Sequence, residues 1–541
     1  MNARETSGTL FPIAFTHLTS PEALLSGFCV LYLVYLVALG FYRLYLTPSA
    51  RFPGPKLAAL TFLYEFYYDA WLEGQYTWKI RDLHRKYGPF VRVNPYEVHC
   101  DDPEFFDILY VSSAKRRTDK WEWAIRQSWT RNSTFKTIAH DLHRQRRSQL
   151  NPFFSKASVR KLEPLIVGKI DRLCSRLEES RDAVMLTHAF AALTVDVISR
   201  VCFGVSNGFL ELDGFAGELY KGIVSSSRSA HLLRQFPWLF RLLGWVPGLA
   251  SPATSAAMVA EQQSRMKLTR NVIAVVERHA RGEKPAPGDA FTVFHAMLDG
   301  DVPPEEKSVG RLIEEAHTLN GAGTMTTANA LEKTLFYLLT DSDSLARLRR
   351  ELEAAIPDPK IIPSTAELEQ LPFLTAVVQE GLRLSKGVTH RLARVSPDVS
   401  YNYGDVVIPR GVPVGMSFMD ILEGLYLMSK LKHMLDPTIF PDPDAFTPER
   451  WLPPDEAEVR QRRKSLLTVF GGGTRMCVGL NLAWAELYLT IAAVVRRFGG
   501  RLQLHDDVVF ERDIKITVDG FNALSSRESK GLRVFVRPSV K

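Results

Sequence analysis

The chain has 541 residues, 46% of them hydrophobic and 23% charged, with a formal net charge of +7. That composition is ordinary for a globular protein and excludes a disordered, collagen-like or disulfide-built chain. The basic balance suits acidic partners or anionic lipid, but no basic motif interleaved with aromatics points to nucleic acid. The five cysteines, Cys29, Cys100, Cys174, Cys202 and Cys477, are scattered and contain no Cys-x-x-Cys. A disulfide framework or zinc ribbon is disfavoured, and a reducing compartment is favoured.

Leu24 to Leu46 is nearly unbroken apolar sequence, long enough for the ~20 residues that span a bilayer. Tyr32, Tyr35, Tyr42 and Tyr45 suit interface anchors. Arg43, Arg51 and Lys56 follow and place the C-terminal side in the cytoplasm. A signal peptide has a shorter apolar part, followed by small residues rather than arginines. Residues 1–50 are therefore read as an N-terminal region with a single membrane-anchor helix, about 24–46. Residues 51–541 are the main domain, and Arg51-Phe-Pro-Gly-Pro-Lys56 makes a stiff hinge between the two.

From Thr61 to Ala355 the apolar period is mostly helical, with short strands expected at Val91–Pro95 and Val98–Cys100. Trp121, Trp123 and Trp129 crowd a polar stretch, either a loop over a cavity or rings on a core. His140 and His143 lie three apart on a basic helix without a third ligand nearby, so a solvated face is preferred to a metal site. Gly204-Val-Ser-Asn-Gly208 formally matches a nucleophile elbow. An elbow needs a strand before it and a helix after; a helical stripe through Val195, Ile198 and Val201 precedes it instead, which argues against a serine hydrolase.

Arg311 to Leu339 is expected as one long helix containing Gly321-Ala-Gly-Thr-Met-Thr-Thr327. Each glycine weakens a helix interior by about 1 kcal/mol relative to alanine. Small residues here either make room for a ligand or let two helices cross, and the Thr326 hydroxyl can hold a water. Leu371–Lys386 is a second apolar helix with Glu380 and Arg383 on one face. Strand-like runs follow at Val395–Tyr401 and Asp405–Val414, then a turn at Phe446-Thr-Pro-Glu-Arg-Trp451. Lys515–Val536 is expected as a β-hairpin.

The most informative stretch is Phe470-Gly-Gly-Gly-Thr-Arg-Met-Cys-Val-Gly479, ahead of an apolar helix at Leu480–Phe498. A thiol ligates metal only when deprotonated, and a nearby cation or helix N-terminus lowers its pKa. Arg475 and the helix start are both at hand, and the glycines let backbone approach a flat ligand closely.

Together the Cys477 loop, Glu380-x-x-Arg383, Pro448-Glu-Arg-Trp451 and Ala322-Gly-x-x-Thr326 resemble the cytochrome P-450 family of haem-thiolate monooxygenases. The anchor and Pro-Gly-Pro turn are similar to its microsomal members. Gly387–Val395 and His143–Ser155 look like fungal secondary-metabolism members of the trichodiene-oxygenase type. The resemblance implies a mainly α fold with a small β-rich region, haem b on residues 51–541, and Cys477 as the axial thiolate. It implies that Phe470 shields the sulfur, and that Arg475, His143, Arg147 and Arg394 meet the haem propionates. Glu380, Arg383 and Arg450 form a buried charged triad, and Thr326 serves oxygen activation. It further implies an NADPH-dependent reductase partner, a lipophilic substrate such as a terpenoid, and an endoplasmic reticulum membrane location. An oxygen-independent isomerase or dehydratase on the same fold, or a non-catalytic haem protein, are the alternatives.

Two departures stand out. Met325 occupies the place where the family usually has an acid before the threonine, and a thioether carries no proton. Phe418 to about Lys432 adds roughly a dozen residues, beyond most loop lengths, as a membrane-contacting insert or an unspliced intron. Arg460, Arg462, Arg463 and Lys464 form either a docking face for the reductase or a solvated charge run. His317, Asn320, Ala322, Val388, Thr389 and Phe521 are the candidate substrate walls.

Overall fold

Pro21–Phe41 folds as one helix, α1, apolar on every side and with no buried residue. Continued by a π turn at Tyr42–Leu46, it makes a 26-residue span of mean hydropathy 2.3. A helix apolar all round with nothing packed on it matches a lipid environment. Leu186–Phe203 is also long and apolar enough, yet 89% of it is buried, which makes it a core helix. The turn after the anchor is pinned rather than slack. Arg92 N donates to Pro53 O at 2.7 Å, Arg43 Nη1 donates to Leu60 O at 2.9 Å, and a Cβ on Gly54 would stand 2.3 Å from Arg92 O.

The computed structural model describes residues 21–112, 115–126, 130–239, 252–283, 292–423, 440–453, 457–465 and 467–538. Its longer helices after α1 are α2 (Tyr76–Tyr87), α3 (His140–Leu150), α4 (Lys156–Glu179), α5 (Leu186–Phe203) and α6 (Gly217–Gln235). They continue as α7 (Pro252–Ala280), α8 (Val309–Thr340), α9 (Ser342–Ala355), α10 (Pro372–Ser385) and α11 (Leu480–Phe498). The central element is α8, packed on α5, α10 and α11. Phe190, Leu193, Leu331, Leu335, Val377 and Leu489, all fully buried, belong to the core between these helices. Ser155 begins α4 as an N-cap, its side chain accepting from Ser158 N. Gly204 ends α5 in the left-handed region (φ 70), a C-cap that suits glycine. The Gly-x-Ser-x-Gly match is thus the end of a helix, as the apolar stripe before it indicates.

Strands β1 (Phe90–Arg92) and β2 (Val98–Cys100) pair antiparallel, and β2 lies parallel to β8 (Pro413–Gly415). β8 pairs with β5 (Arg394–Val395), and β5 with β3 (Asp119–Lys120), setting Lys120 opposite Arg394. β6 (Tyr401–Tyr403) and β7 (Val406–Ile408) form a separate ribbon. The expected hairpin at Lys515–Val536 is shorter: β10 (Val518–Gly520) and β11 (Asn522–Leu524) make it alone. β12 (Arg533–Val536) leaves to join β4 (Val184–Met185) and β9 (Leu502–Leu504).

The departure at Phe418 begins inside the body. Phe418–Leu422 is a buried helical turn, with the Phe418 ring 5.7 Å from Phe106 and 5.2 Å from Tyr110. Arg81 pairs with both Asp420 and Glu423 at 2.6 Å, and Lys386 pairs with Glu423. The remainder, 424–432, lies outside the described residues, as does Trp129.

Glu380 fastens α10 to the turn Pro448–Trp451 (ranges as above). Its carboxylate takes Arg383 Nε at 2.8 Å, Arg450 Nε at 2.9 Å, Trp451 Nε1 at 3.0 Å and Thr447 N at 3.0 Å. Arg383 spends its other donors on Pro443 O and Ala445 O. Burial alone would raise the Glu380 carboxyl, but Arg383 and then Arg450 outweigh it and hold it below its ordinary range. Arg383→Leu should cost about 3–5 kcal/mol, because a buried carboxylate loses its main partner. Because the folded value is depressed, this stabilisation is present above the ordinary 4.5 and is lost as pH falls through the lower folded value. Glu380→Gln should therefore show a shallower loss of stability on acidification than the wild type, measured by denaturant unfolding across that range.

Candidate active site

Cys477 lies between a 3₁₀ turn at Gly473–Arg475 and the start of α11. Its N–H donates to Phe470 O at 2.9 Å, which curls the loop, and the Phe470 ring stands 6.0 Å from Trp484. Two of the loop glycines are demanded by the protein's own packing. A Cβ on Gly473 (φ +65) would lie 2.3 Å from the carbonyl oxygens of Tyr110 and Val111, and one on Gly472 would lie 2.8 Å from Phe106 Cε1. Gly479 alone faces open space.

Burial pushes the Cys477 thiol up, while the N–H of Gly479 and the Arg147 guanidinium pull it down. The expectation that Arg475 activates the thiol is therefore corrected. The cation that acts on the sulfur, against the stronger upward push of burial, is Arg147, tied to the loop by Nη1 donating to Met476 O at 2.7 Å. Arg475 points away from the sulfur, with Nη1 on Thr137 O and Nη2 on Ile138 O, both at 2.6 Å.

Arg475 joins a cluster of like charge. Burial, then Arg394, hold its guanidinium down to about 9. Arg394 is buried, with Nη1 on Leu392 O at 2.9 Å and its guanidinium 5.1 Å from the Tyr110 ring centre. Lys120, which the sequence did not single out, is buried beside them, donates to Phe135 O, and is driven well down by burial, Arg394 and Arg475. His143 is pushed down to about 2 by burial, Arg475, Lys120, Arg147 and Arg394. Among the described residues none of these groups has a carboxylate partner in an ion pair, and Arg475 Nε and His143 Nδ1 are buried without a hydrogen bond. A set of mutually repelling buried donors with free N–H groups fits a ligand carrying carboxylates. His140 Nδ1 is engaged by the backbone, accepting from Thr118 N at 3.1 Å.

Across from the loop, α8 presents an accessible Ala322, and Thr326 Oγ1 donates to Ala322 O at 2.8 Å. Gly321 borders open space, whereas a Cβ on Gly323 would press Ile198 of α5 at 3.0 Å. One glycine thus makes room and the other lets two helices cross. Met325 turns away from this face into an apolar cluster with Val518, Leu524, Tyr220, Ile223 and Val224.

The candidate walls divide. Asn320 Oδ1 accepts from Ser199 at 3.2 Å, His317 Nε2 meets Thr269 at 3.3 Å, and Thr389 Oγ1 donates to Asp519 at 2.9 Å. Burial lowers His317 to about 4. These three are engaged by protein; Val388 bridges to Asn522. Phe521, at the hairpin tip with φ 75, borders a small apolar gap with Lys120, Ile125, Phe135, Leu392 and Arg394. A groove of about 380 Å³ between α4 and α11 contains none of the expected site residues. Arg463, counted with the docking charges, is buried and donates to Arg450 O, and the side chains of Arg460 and Arg462 lie outside the described residues.

The sequence is similar to known proteins over nearly its full length. Residues 53–513 match the family model for cytochrome P450. A tryptophan 6-hydroxylase of Fusarium equiseti is 41% identical over 503 residues, covering 92% of this chain and 94% of that protein. A cytochrome P450 monooxygenase of Cochliobolus heterostrophus is 42% identical over 519 residues, covering 93% and 95%. An N-acetyltryptophan 6-hydroxylase of Emericella nidulans is 38% identical over 510 residues, covering 93% and 96%. A family match over most of its length and relatives above 40% identity along nearly their whole chains show that the chain belongs to the cytochrome P450 family.

Proposed function

We propose that this is a membrane-anchored haem-thiolate monooxygenase in which the family's haem b is held between the Cys477 loop and α8. The observation that carries this reading is the unpaired cation cluster beside Cys477. Cys477 would hold the haem iron through its sulfur with Phe470 beside it, and Lys120, His143, Arg147, Arg394 and Arg475 would hold the carboxylates of the haem. When bound, haem supplies dioxygen activation, with thiolate donation favouring O–O cleavage. The chain's own part is to hold, orient and deliver protons.

Thr326 is the proton-side residue. Its hydroxyl proton is committed to Ala322 O, so its oxygen is free to accept a hydrogen bond from water at the open face. Met325 gives no second relay, since its surroundings are apolar. That observation also favours a second reading, an oxygen-independent isomerase or dehydratase. Electrons come from NADPH through a reductase at the endoplasmic reticulum membrane, with α1 as the single-pass anchor, residues 1–50 as the anchor region and 51–541 as the cytoplasmic catalytic domain. The substrate is a lipophilic secondary metabolite, and the relatives' names extend the range from terpenoids to tryptophan derivatives.

Reductase-dependent NADPH consumption matched by one added oxygen from ¹⁸O₂ would support the monooxygenase; turnover without oxygen would replace it with the second reading. Cys477→Ala should abolish the red-shifted thiolate band of the reduced carbon monoxide complex; persistence of that band would overturn the ligand assignment. Lys120→Gln and Arg394→Gln should each speed haem loss to apomyoglobin, by about tenfold for a charge-assisted bond worth ~1.5 kcal/mol. Thr326→Ala should divert NADPH to peroxide at the expense of product. Unchanged coupling would move the proton path elsewhere.

A further inference from the structure

Helix α4 opens with a charged face, Lys156, Arg160 and Glu163, and α11 opens with Leu480, Asn481 and Trp484. These side chains and the short helical turn Thr365–Leu368 border the groove of about 380 Å³, a volume suited to a small molecule. Bonds within the protein hold its walls in place. Lys156 Nζ donates to Glu369 Oε2 at 2.6 Å, and Asn481 Nδ2 donates to Phe154 O at 2.8 Å. One side is aromatic. Trp484 and Tyr488 stack with ring centres 5.6 Å apart, and the Tyr488 hydroxyl donates to Thr375 Oγ1 at 3.0 Å.

The polar side of the groove is incomplete. Glu163 Oε2 accepts from Thr365 N at 3.3 Å, whereas Glu163 Oε1 is buried with no hydrogen bond. Thr365 is 6% exposed, and its Oγ1 is buried and unpartnered as well. Glu369 is matched by Lys156, but among the described residues Glu163 has no ion pair. Arg160, one turn earlier on α4, lines the groove as an exposed side chain and does not reach it.

Two neighbouring acceptors without a donor are unfavourable, and a positively charged donor satisfies a carboxylate best. The same charge is attracted to the face of Trp484, since indole is the strongest cation-binding ring. An anion would be repelled by Glu163, and a wholly apolar guest would leave both oxygens unmet. Leu480 and Ala485 add apolar surface beside the indole.

We propose that this groove is a second ligand site, which takes a primary ammonium on a short aromatic body: the ammonium donates to Glu163 and Thr365, and the body lies on Trp484. The site shares no residue with the α8 face or the Cys477 loop, although Trp484 stands 6.0 Å from Phe470 at the start of that loop.

The test is saturation-transfer NMR of tyramine with the full-length holoprotein in nanodiscs, against empty nanodiscs. Clotrimazole is kept saturating so that no amine reaches the haem iron. Tyrosol, which carries a hydroxyl where tyramine carries its ammonium, should bind at least about tenfold more weakly. Glu163→Gln keeps an acceptor for Thr365 N and should weaken tyramine at least about tenfold while leaving tyrosol unchanged. Trp484→Leu should weaken both. In protein labelled with 5-fluorotryptophan, the fluorine signal missing from Trp484→Leu should shift with tyramine, which locates the ligand without any variant of the polar wall. Equal binding of tyramine and tyrosol, undiminished tyramine binding by Glu163→Gln, or a Trp484 signal that does not move would overturn the site.

Discussion

Beside Cys477 the chain buries like charges against one another. Lys120 and Arg475 are each driven down first by burial and then by Arg394, Arg394 is itself driven down by burial, and burial and the same neighbouring cations hold His143 down. Such a set destabilises the fold until an anion enters it, so carboxylate binding and folding are coupled by mass action. The surrounding architecture serves this requirement. The short β3–β5 pairing exists to set Lys120 opposite Arg394, α3 delivers His143 and Arg147, and the glycine loop packs tightly enough on Tyr110 and Val111 to fix Arg475.

The legible part of the chain was whatever is local. Helix periods gave α8, α10 and α11 nearly to the residue, because an apolar face repeats along them. The Cys477 loop and the Glu380-x-x-Arg383 pair carry their spacing in the chain itself. Lys120 was invisible for the opposite reason: nothing in Thr118-Asp119-Lys120 distinguishes it from a surface lysine, and its partner in register lies 274 positions on by the pairing of β3 with β5. The cause of thiol activation was misplaced in the same way. Arg475 is nearer in sequence, but its donors are taken by Thr137 and Ile138, whereas Arg147 reaches the loop from α3.

Met325 shows how a substitution at a relay position can be consistent with the rest of the fold. An acid there would face Val518, Leu524 and Tyr220 without a partner, at the cost of burying an unpaired polar group. The thioether fills that space and ties α8 to α6 and the hairpin. At this point of the helix packing takes the place of a proton-bearing side chain, while the neighbouring Thr326 keeps its hydroxyl on Ala322 O.

Three buried ionic groups now divide by their charge balance. Around Glu380 every guanidinium donor finds either the carboxylate or a backbone carbonyl, so the group is complete and acts as a brace. Beside Cys477 cations exceed anions and free N–H groups remain, so that group is incomplete without a ligand. Around Arg234 the imbalance runs the other way. Two arginines, Arg234 and Arg391, face Glu65, Asp69, Glu97 and Asp519. Burial raises Asp69 and Glu97, and His390 is pushed down to about 3. The imidazoles of His231 and His390 face the same carboxylates, and the neighbouring cations outweigh burial at Glu65 and Asp519 and hold both low, so the group divides between carboxylates held low and carboxylates raised.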